Sequence, residues 1–234
     1  MGKNLTQQKR GKGSPTFKAP SFRWKGAAKV PEQGKGIIID LINSQPHSAP
    51  IAIVKYEEGD YGMQIAPQGV RVGEELEIAE KTALKTGNTM QMRYIPEGTA
   101  IYNLEGKPGD GGKFARASGQ SARIVTKSGN SVVVILPSKK KKEFNPDCKA
   151  SIGIVAGAGR RDKPFLKAGN KVRAMKAKNK YYPKVSGVCM NAVAHPFGGG
   201  RSSRTGRPTI APKNAPPGRK VGMIRPRRTG RKKR

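Results

Sequence analysis

Carboxylates are scarce in this 234-residue chain: 15 Asp and Glu stand against 47 Lys and Arg, a formal excess of 32 positive charges. Beyond Asp162 the shortage is complete, since no acidic side chain follows it. Like charges repel within a Debye length of ~8 Å at physiological salt, so the basic segments cannot condense on themselves and need a polyanion. Nucleic acid is the first candidate, because Lys and Arg release its condensed counterions and gain sequence-independent affinity. A membrane surface is the alternative, but membrane-binding basic segments carry an amphipathic apolar face. The basic segments here have none.

Other absences narrow the reading further. The longest uninterrupted aliphatic run is Val132 to Leu136, far below the ~18 residues of a membrane span. The first residues contain no apolar stretch of the kind a secretory signal needs. Met1-Gly2-Lys3-Asn4-Leu5-Thr6 formally fits an acylation pattern, but the pattern is too short to carry weight. Soft and imidazole ligands are confined to His47, Cys148, Cys189 and His195. No two of them have a zinc-site spacing, so neither a metal nor another cofactor is expected, and the two cysteines read as reduced thiols of a cytosolic chain. His195 is the sole histidine of the C-terminal half, and Ala194, Pro196 and Phe197 supply no carboxylate to orient it. A catalytic site needs such partners, so no catalytic residue is expected.

What is present is unevenly placed. Residues 1–34 carry eight basic side chains and one acidic, Glu32, whereas residues 36–85 carry four basic against eight acidic. Residues 171–234 hold nineteen basic residues and no acidic one. A near-neutral centre with cationic ends is the layout of a body with nucleic-acid-binding arms. Merely solvating tails rarely contain aromatics, yet these hold Trp24, Tyr181, Tyr182 and Phe197.

The centre reads as β-structure. The hydrophobic fraction is 35%, and Gly (30) with Pro (18) make up about a fifth of the chain, which favours short strands and turns over long helices. Strands are expected at 36–42, 51–56, 61–66 and 75–79, then at 99–104, 123–127, 132–136 and 151–155. Apolar runs divided by Glu57-Glu58-Gly59-Asp60 and by Ser128-Gly129-Asn130-Ser131 predict hairpins. Two clusters of this size match small barrels, OB-like and SH3-like. The expected organisation is a basic arm over 1–34, an OB-like barrel over 35–85, an SH3-like barrel over 86–170 and a basic Gly/Pro-rich extension over 171–234.

Two glycine-rich loops, Gly106 to Lys113 and Gly157 to Arg161, lack the sequence of an NTP-binding loop. Glycine beside Lys and Arg lets backbone approach a phosphate, though an ordinary flexible loop fits each equally well. Phe22-Arg23-Trp24-Lys25 and Lys178 to Lys184 interleave rings with cations. Rings stack on unpaired bases at about 1–3 kcal/mol per base while cations hold phosphates. Any one ring serves equally well as an anchor of an arm on a barrel.

Three motifs, in order, carry a resemblance. Met190-Asn191-Ala192-Val193-Ala194-His195-Pro196-Phe197-Gly198-Gly199-Gly200 resembles the signature of the second protein of the large ribosomal subunit, a family present in all cellular life. Lys107 to Gly112 with Phe114 to Ala117 resembles its internal loop, and Lys85 to Thr89 with Met92 to Pro96 its inter-domain joint. The N-terminal arm is similar to the archaeal or eukaryotic branch. The resemblance implies an OB-like and an SH3-like barrel docked on large-subunit rRNA, with peptide-bond chemistry left to RNA. It implies a cytoplasmic, ribosomal location and roles in subunit association, tRNA placement and support of the peptidyl-transferase region. The implied partners are large-subunit rRNA and neighbouring ribosomal proteins, with tRNA and small-subunit contacts beyond them, and neither a membrane nor a second copy of the chain.

The expected rRNA contacts are Arg23, Trp24 and Lys25 in the arm, with His47 and Arg116 in the barrels and Arg160 and Arg161 in the second glycine loop. In the extension they are Lys180, Tyr181, His195, Gly198, Gly199, Gly200, Arg201, Arg204 and Arg207. His47 stands where bacterial members of the resembled family tend to have arginine, which implies a contact that is weaker or pH-dependent. Ala192 and Ala194 replace a Pro and an acidic residue, which removes the nearest carboxylate from His195. A generic chromatin or single-strand-binding protein is one rival, to be separated by competition between structured rRNA and bulk DNA. An RNA-modifying enzyme is the other, and it requires a convergent site that the sequence lacks.

Overall fold

Ile37–Ile42 and Ile51–Tyr56 are β-branched runs whose neighbours are turn formers, and they pair. In the computed structural model, which describes residues 2–18, 24–160 and 162–224, strand β1 (Gly34–Ile42) lies antiparallel to β2 (Ile51–Tyr56), from Gly36 opposite Tyr56 to Ile42 opposite Ile51. The 57–60 turn returns the chain as β3 (Tyr61–Ile65) on the far side of β2, and β4 (Glu75–Ile78) pairs with the other edge of β1. A single parallel bridge, Ile78 to Thr89, links β4 to β5 (Thr89–Gln91). The remaining strands are β6 (Ala100–Tyr102), β7 (Ala122–Ser128), β8 (Ser131–Ile135), β9 (Lys141–Phe144) and β10 (Lys149–Ile152). One hydrogen-bonded sheet runs in the order β3-β2-β1-β4-β5-β10-β6-β7-β8-β9.

The protein is thus mainly β, as the sequence indicates, and both hairpins form at their expected turns. Two strands escape the sequence pattern for identifiable reasons. The three residues of β5 are too few to show a period. In β9 only Phe144 is buried, because a sheet edge leaves its lysines in solvent. The last strand starts at Lys149, two residues before the expected position, and stops before Gly153, whose φ of +114° breaks the extended run. Val155 lies beyond it, in an isolated bridge to Pro67.

Apolar side chains gather in three clusters. Ile38, Ala52, Val54, Ala66 and Leu76 fill the first half of the sheet. Met90, Met92, Ile95, Ile101, Leu104, Ile124, Val132, Val134 and Phe144 fill the second. Ile51, Ile65, Tyr102 and Val155 form a third that draws on both halves. Each large aliphatic side chain sunk here contributes about 1.5–3 kcal/mol.

The chain divides into two compact units. One spans Ser21–Leu166 and holds the sheet; the other joins Met1–Pro20 with Lys167–Arg234. The arm read from the sequence as one piece, 1–34, is therefore split. Its second part belongs to the β unit: Ala28 and Val30 are buried, the Lys29 N–H donates to the Met63 carbonyl (2.9 Å), and the Val30 N–H donates to that of Gly111 (3.2 Å). Its first part joins the C-terminal extension, where the Lys3 N–H donates to the Val193 carbonyl at 2.7 Å.

Two short helices, which the Gly/Pro content leaves room for, lie in this second unit, α1 (Thr6–Gly11) and α2 (Ala168–Ala177). The Leu5 N–H at the start of α1 donates to Gln8 Oε1 (2.8 Å), satisfying one of the free donors of a helix N-terminus. Neither helix buries a residue of its own. Among the described residues of the unit only Leu5, Ala211 and Val221 are buried apolar side chains.

Candidate nucleic-acid interface

All fifteen carboxylates of the chain lie in the β unit; the other unit holds twenty-five basic side chains and no acidic one. That division, invisible in the overall charge, fixes where a polyanion is attracted.

In the β unit a cleft of about 340 Å³ collects Lys29, His47, Lys113 and Arg116 around a single carboxylate, Asp110. The half-buried Arg116 spends part of its guanidinium internally: Nη1 donates to the Gly112 carbonyl (2.6 Å) and Nη2 to that of Ala28 (2.5 Å). It ties the chain leading into the sheet to the 106–113 loop, a two-pronged arrangement a lysine cannot reproduce. His47 sits beside it, with Nδ1 2.9 Å from Ser44 Oγ. Burial, and then the Arg116 charge, hold its imidazole below the ordinary histidine range.

The sign of the His47 shift determines a pH effect. A folded-state pKa below the unfolded one gives stability that is complete above the unfolded value and is lost as pH falls through the folded value. Acidification below about 6.5, the ordinary histidine value, is therefore expected to loosen this cleft. A His47→Gln substitution is expected to flatten that part of the stability profile, read by denaturant unfolding from pH 7 to 5. An NMR titration midpoint for His47 at or above the ordinary value would contradict it.

The first glycine loop is closed to external anions by its own acid. Asp110 Oδ2 accepts the N–H groups of Gly106 (3.0 Å) and Lys107 (3.2 Å), Oδ1 accepts that of Gly112 (3.1 Å), and the Lys113 ammonium lies 3.2 Å away. Burial opposes ionisation of Asp110, but these donors outweigh it and hold the carboxyl below its usual range. The buried Glu105 takes the N–H groups of Gly111 (3.2 Å) and Lys149 (2.9 Å). The N–H groups of Gly106, Lys107, Gly111 and Gly112 are thus occupied, and Lys107 and Lys113 are the loop's exposed cations. In the second glycine loop Arg160 is exposed, while Arg161 lies outside the described residues.

Sequence reasoning passed over Lys139–Lys142, exposed at the β8–β9 turn and along the sheet edge. Lys142 lies over the rings of Phe114 (4.0 Å to the centroid) and Phe144 (5.1 Å). Four consecutive lysines were the available signal. Of the arm residues, Trp24 is half exposed and Lys25 exposed; Arg23, like Phe22, lies outside the described residues.

In the basic unit the 190–200 segment folds tightly on itself. Gly198 N–H donates to His195 O (2.9 Å) and Gly199 N–H to Met190 O (3.2 Å). A Cβ on Gly198 would stand 2.3 Å from the Met190 carbonyl oxygen, so glycine is required there for backbone to meet backbone. Gly199 has φ +85° and the same need, whereas nothing crowds Gly200. The His195 ring packs flat on Gly187, where a Cβ would meet it at 2.2 Å. Its Nδ1 accepts the Phe197 N–H (3.1 Å), which puts the proton of the neutral ring on Nε2. Burial lowers its pKa. No Asp or Glu belongs to this unit, so none of its own side chains orients His195 as a carboxylate would.

A cleft of about 460 Å³ brings His195 together with Lys3, Arg207 and Arg219. Arg219 was not singled out from the sequence, yet its Nη1 is buried with no acceptor among the described residues. Lys180 and Tyr181 are exposed, with Tyr181 6.5 Å from Phe17, and Lys171 lies 5.3 Å over Tyr182. Asn179 Nδ2 donates to the Pro15 carbonyl at 2.8 Å and also to that of Lys18. Arg201, Arg204 and Arg207 are exposed. No group of three or more His, Cys, Asp or Glu among the described residues is arranged to hold a metal ion.

A family model described as Ribosomal Proteins L2, C-terminal domain, matches residues 85–218. The chain is 46% identical over 241 residues to the large ribosomal subunit protein uL2 of Methanothermobacter thermautotrophicus, with all of both chains covered. It is 49% identical over 236 residues to that of Haloarcula marismortui (99% of this chain, 98% of the relative) and 48% identical over 237 residues to that of Methanococcoides burtonii (99% and 100%). A profile spanning more than half of the chain and full-length likeness at nearly one residue in two, on a β body with an acid-free basic unit, place it plainly: the chain belongs to the L2 family of ribosomal proteins, in its archaeal form.

Proposed function

We propose that this chain is a structural constituent of the large subunit of cytoplasmic ribosomes and that it acts by binding rRNA. One observation carries the RNA-binding part: a unit with twenty-five cations, no carboxylate and three described buried apolar side chains. Three such side chains supply only a few kcal/mol, and the charge repels itself. The missing stabilisation comes from a polyanion laid against the unit. Structured rRNA provides phosphates for Lys180, Arg201, Arg204 and Arg207 and unpaired bases for Trp24 and Tyr181.

Within the β unit, which ends at Leu166, the two sheet halves act as the OB-like module (35–85) and as the SH3-like module expected over 86–170, and Arg116 braces the RNA-facing cleft beside Lys29 and His47. The 190–200 segment supports tRNA placement, subunit association and the peptidyl-transferase region by holding RNA through His195 Nε2 and the clustered cations. Bond-making itself stays with RNA, since the unit has no Asp or Glu to orient His195 as a base.

The test is sedimentation of tagged protein from cell extracts. It is expected to run with the large subunit at moderate salt and to be freed from it by ribonuclease. Migration with bulk DNA, or alone, would sink the reading.

A further inference from the structure

The outward face of β1 has a character that RNA binding does not use. Ile37 and Ile39 are 47% and 43% exposed. The register shift between Ile38 and Asp40 leaves Ile39 without a cross-strand partner. Ile37 stands between Lys55 on β2 and Glu75 on β4, and Lys35 pairs with Glu77 at 3.6 Å. A trough of about 640 Å³ runs over these isoleucines, and it shares Lys35, Tyr56 and Glu57 with a second of about 510 Å³ that continues past Tyr61 and Met63.

Charge along this channel departs from that of the rest of the chain. Glu57, Glu58, Asp60, Glu75 and Glu77 line it against Lys29, Lys35, Lys55 and Lys85, and Lys35 is already committed to Glu77. Residues 36–85 as a whole hold eight acidic against four basic side chains, in a chain where cations prevail three to one. The isoleucine floor itself offers a phosphate backbone no donor, and Glu75 stands beside it on β4. A cationic peptide fits on both counts: aliphatic stems of Lys and Arg lie along apolar surface while their heads reach carboxylates.

We infer that the β2-β1-β4 face docks an extended Lys/Arg-rich segment of a neighbouring protein, laid across Ile37 and Ile39 beside the carboxylates of β4 and of the 57–60 turn. The inference rests on the reading of this chain as a ribosomal constituent, because assembly is what brings such a segment to the face. Opposite charges across the contact set its orientation and exclude RNA from the same surface.

The experiment places a photo-crosslinking benzophenone residue at Ile39 of the full chain, incorporated into large subunits in cells. A second probe at Tyr181 serves as the RNA-facing control. Irradiation of purified subunits is expected to join Ile39 to a Lys/Arg-rich segment of one neighbouring protein, and Tyr181 to rRNA. Glu57→Lys combined with Glu75→Lys is expected to cut the Ile39 adduct about tenfold, the effect of roughly 1.4 kcal/mol of lost charge complementarity. Ile37→Ser, at an exposed position the core does not need, is expected to weaken the adduct as well. An Ile39 adduct to rRNA, to this chain itself or to nothing, or one indifferent to both changes, overturns the docking while the Tyr181 adduct leaves the RNA reading standing. Absence of the chain from large subunits overturns both.

Discussion

Between 50 and 200 mM salt, affinity for structured large-subunit rRNA is expected to fall by roughly 10³–10⁵-fold, the loss that follows from neutralising about six to ten phosphates. The basic unit makes this a minimum expectation, since it offers twenty-five cations and no carboxylate to compete for them. Filter binding over a salt series measures it, and a slope near zero in the logarithmic plot would falsify the electrostatic account. The same physics predicts how the unit is held. With Leu5, Ala211 and Val221 as its described buried apolar side chains, its amides are expected to exchange rapidly in free protein and to become protected on rRNA. The core strands β7 and β8 are expected to stay protected in both states. Equal protection of the basic unit with and without RNA would show that it is stable alone.

Gly112→Ala is expected to destabilise the β unit by about 2–5 kcal/mol, combining the left-handed backbone penalty with overpacking. Gly112 has φ +90°, and an added Cβ would stand 2.4 Å from Asn103 Oδ1 and 2.7 Å from the Asn103 carbonyl oxygen. Asn103 cannot retreat, because it is buried, itself at φ +50°, and bonded to the Ala115 carbonyl through its own N–H (3.1 Å). The damage spreads to the cleft, since the Gly112 carbonyl anchors Arg116 and its N–H anchors Asp110. Denaturant unfolding of Gly112→Ala beside Gly98→Ala separates clash from backbone strain: Gly98 shares the positive φ (+80°) but has nothing within 4 Å. Equal losses at the two positions would remove the steric part of the explanation.

Legibility in the sequence followed the range of the interactions involved. β1, β2, β7 and β8 were readable because their β-branched runs and turn residues are local signals, and β3 because Tyr61, Met63 and Ile65 alternate with smaller or polar residues. β9 was not, because a charged edge strand is defined by its partner β8 and not by its own composition. Helices α1 and α2 were hidden for a similar reason: neither buries an apolar stripe, so no 3.6-residue period marks them. At the candidate interface, cation content was plain, and the exposure of Arg160, Lys180 and Arg204 agrees with it. The fate of the first glycine loop was not. Gly106 to Lys113 reads as a phosphate cradle until Asp110 is found filling it, and a spacing of two to four residues does not reveal which way a carboxylate turns.

Composition alone pointed to a polyanion as partner, since the fifteen carboxylates leave thirty-two positive charges in excess. It also determined a β body of short strands, because β-branched runs broken by glycine and proline leave little alternative. Only tertiary structure decided that residues before Pro20 fold with the C-terminal extension while Ala28 and Val30 join the sheet, and that every carboxylate falls on one side of that division. Only it set Arg116 between two carbonyls, and His195 against Gly187. Charge and periodicity are carried by each residue and its near neighbours, whereas which donor meets which acceptor depends on segments far apart in sequence being brought within 3 Å.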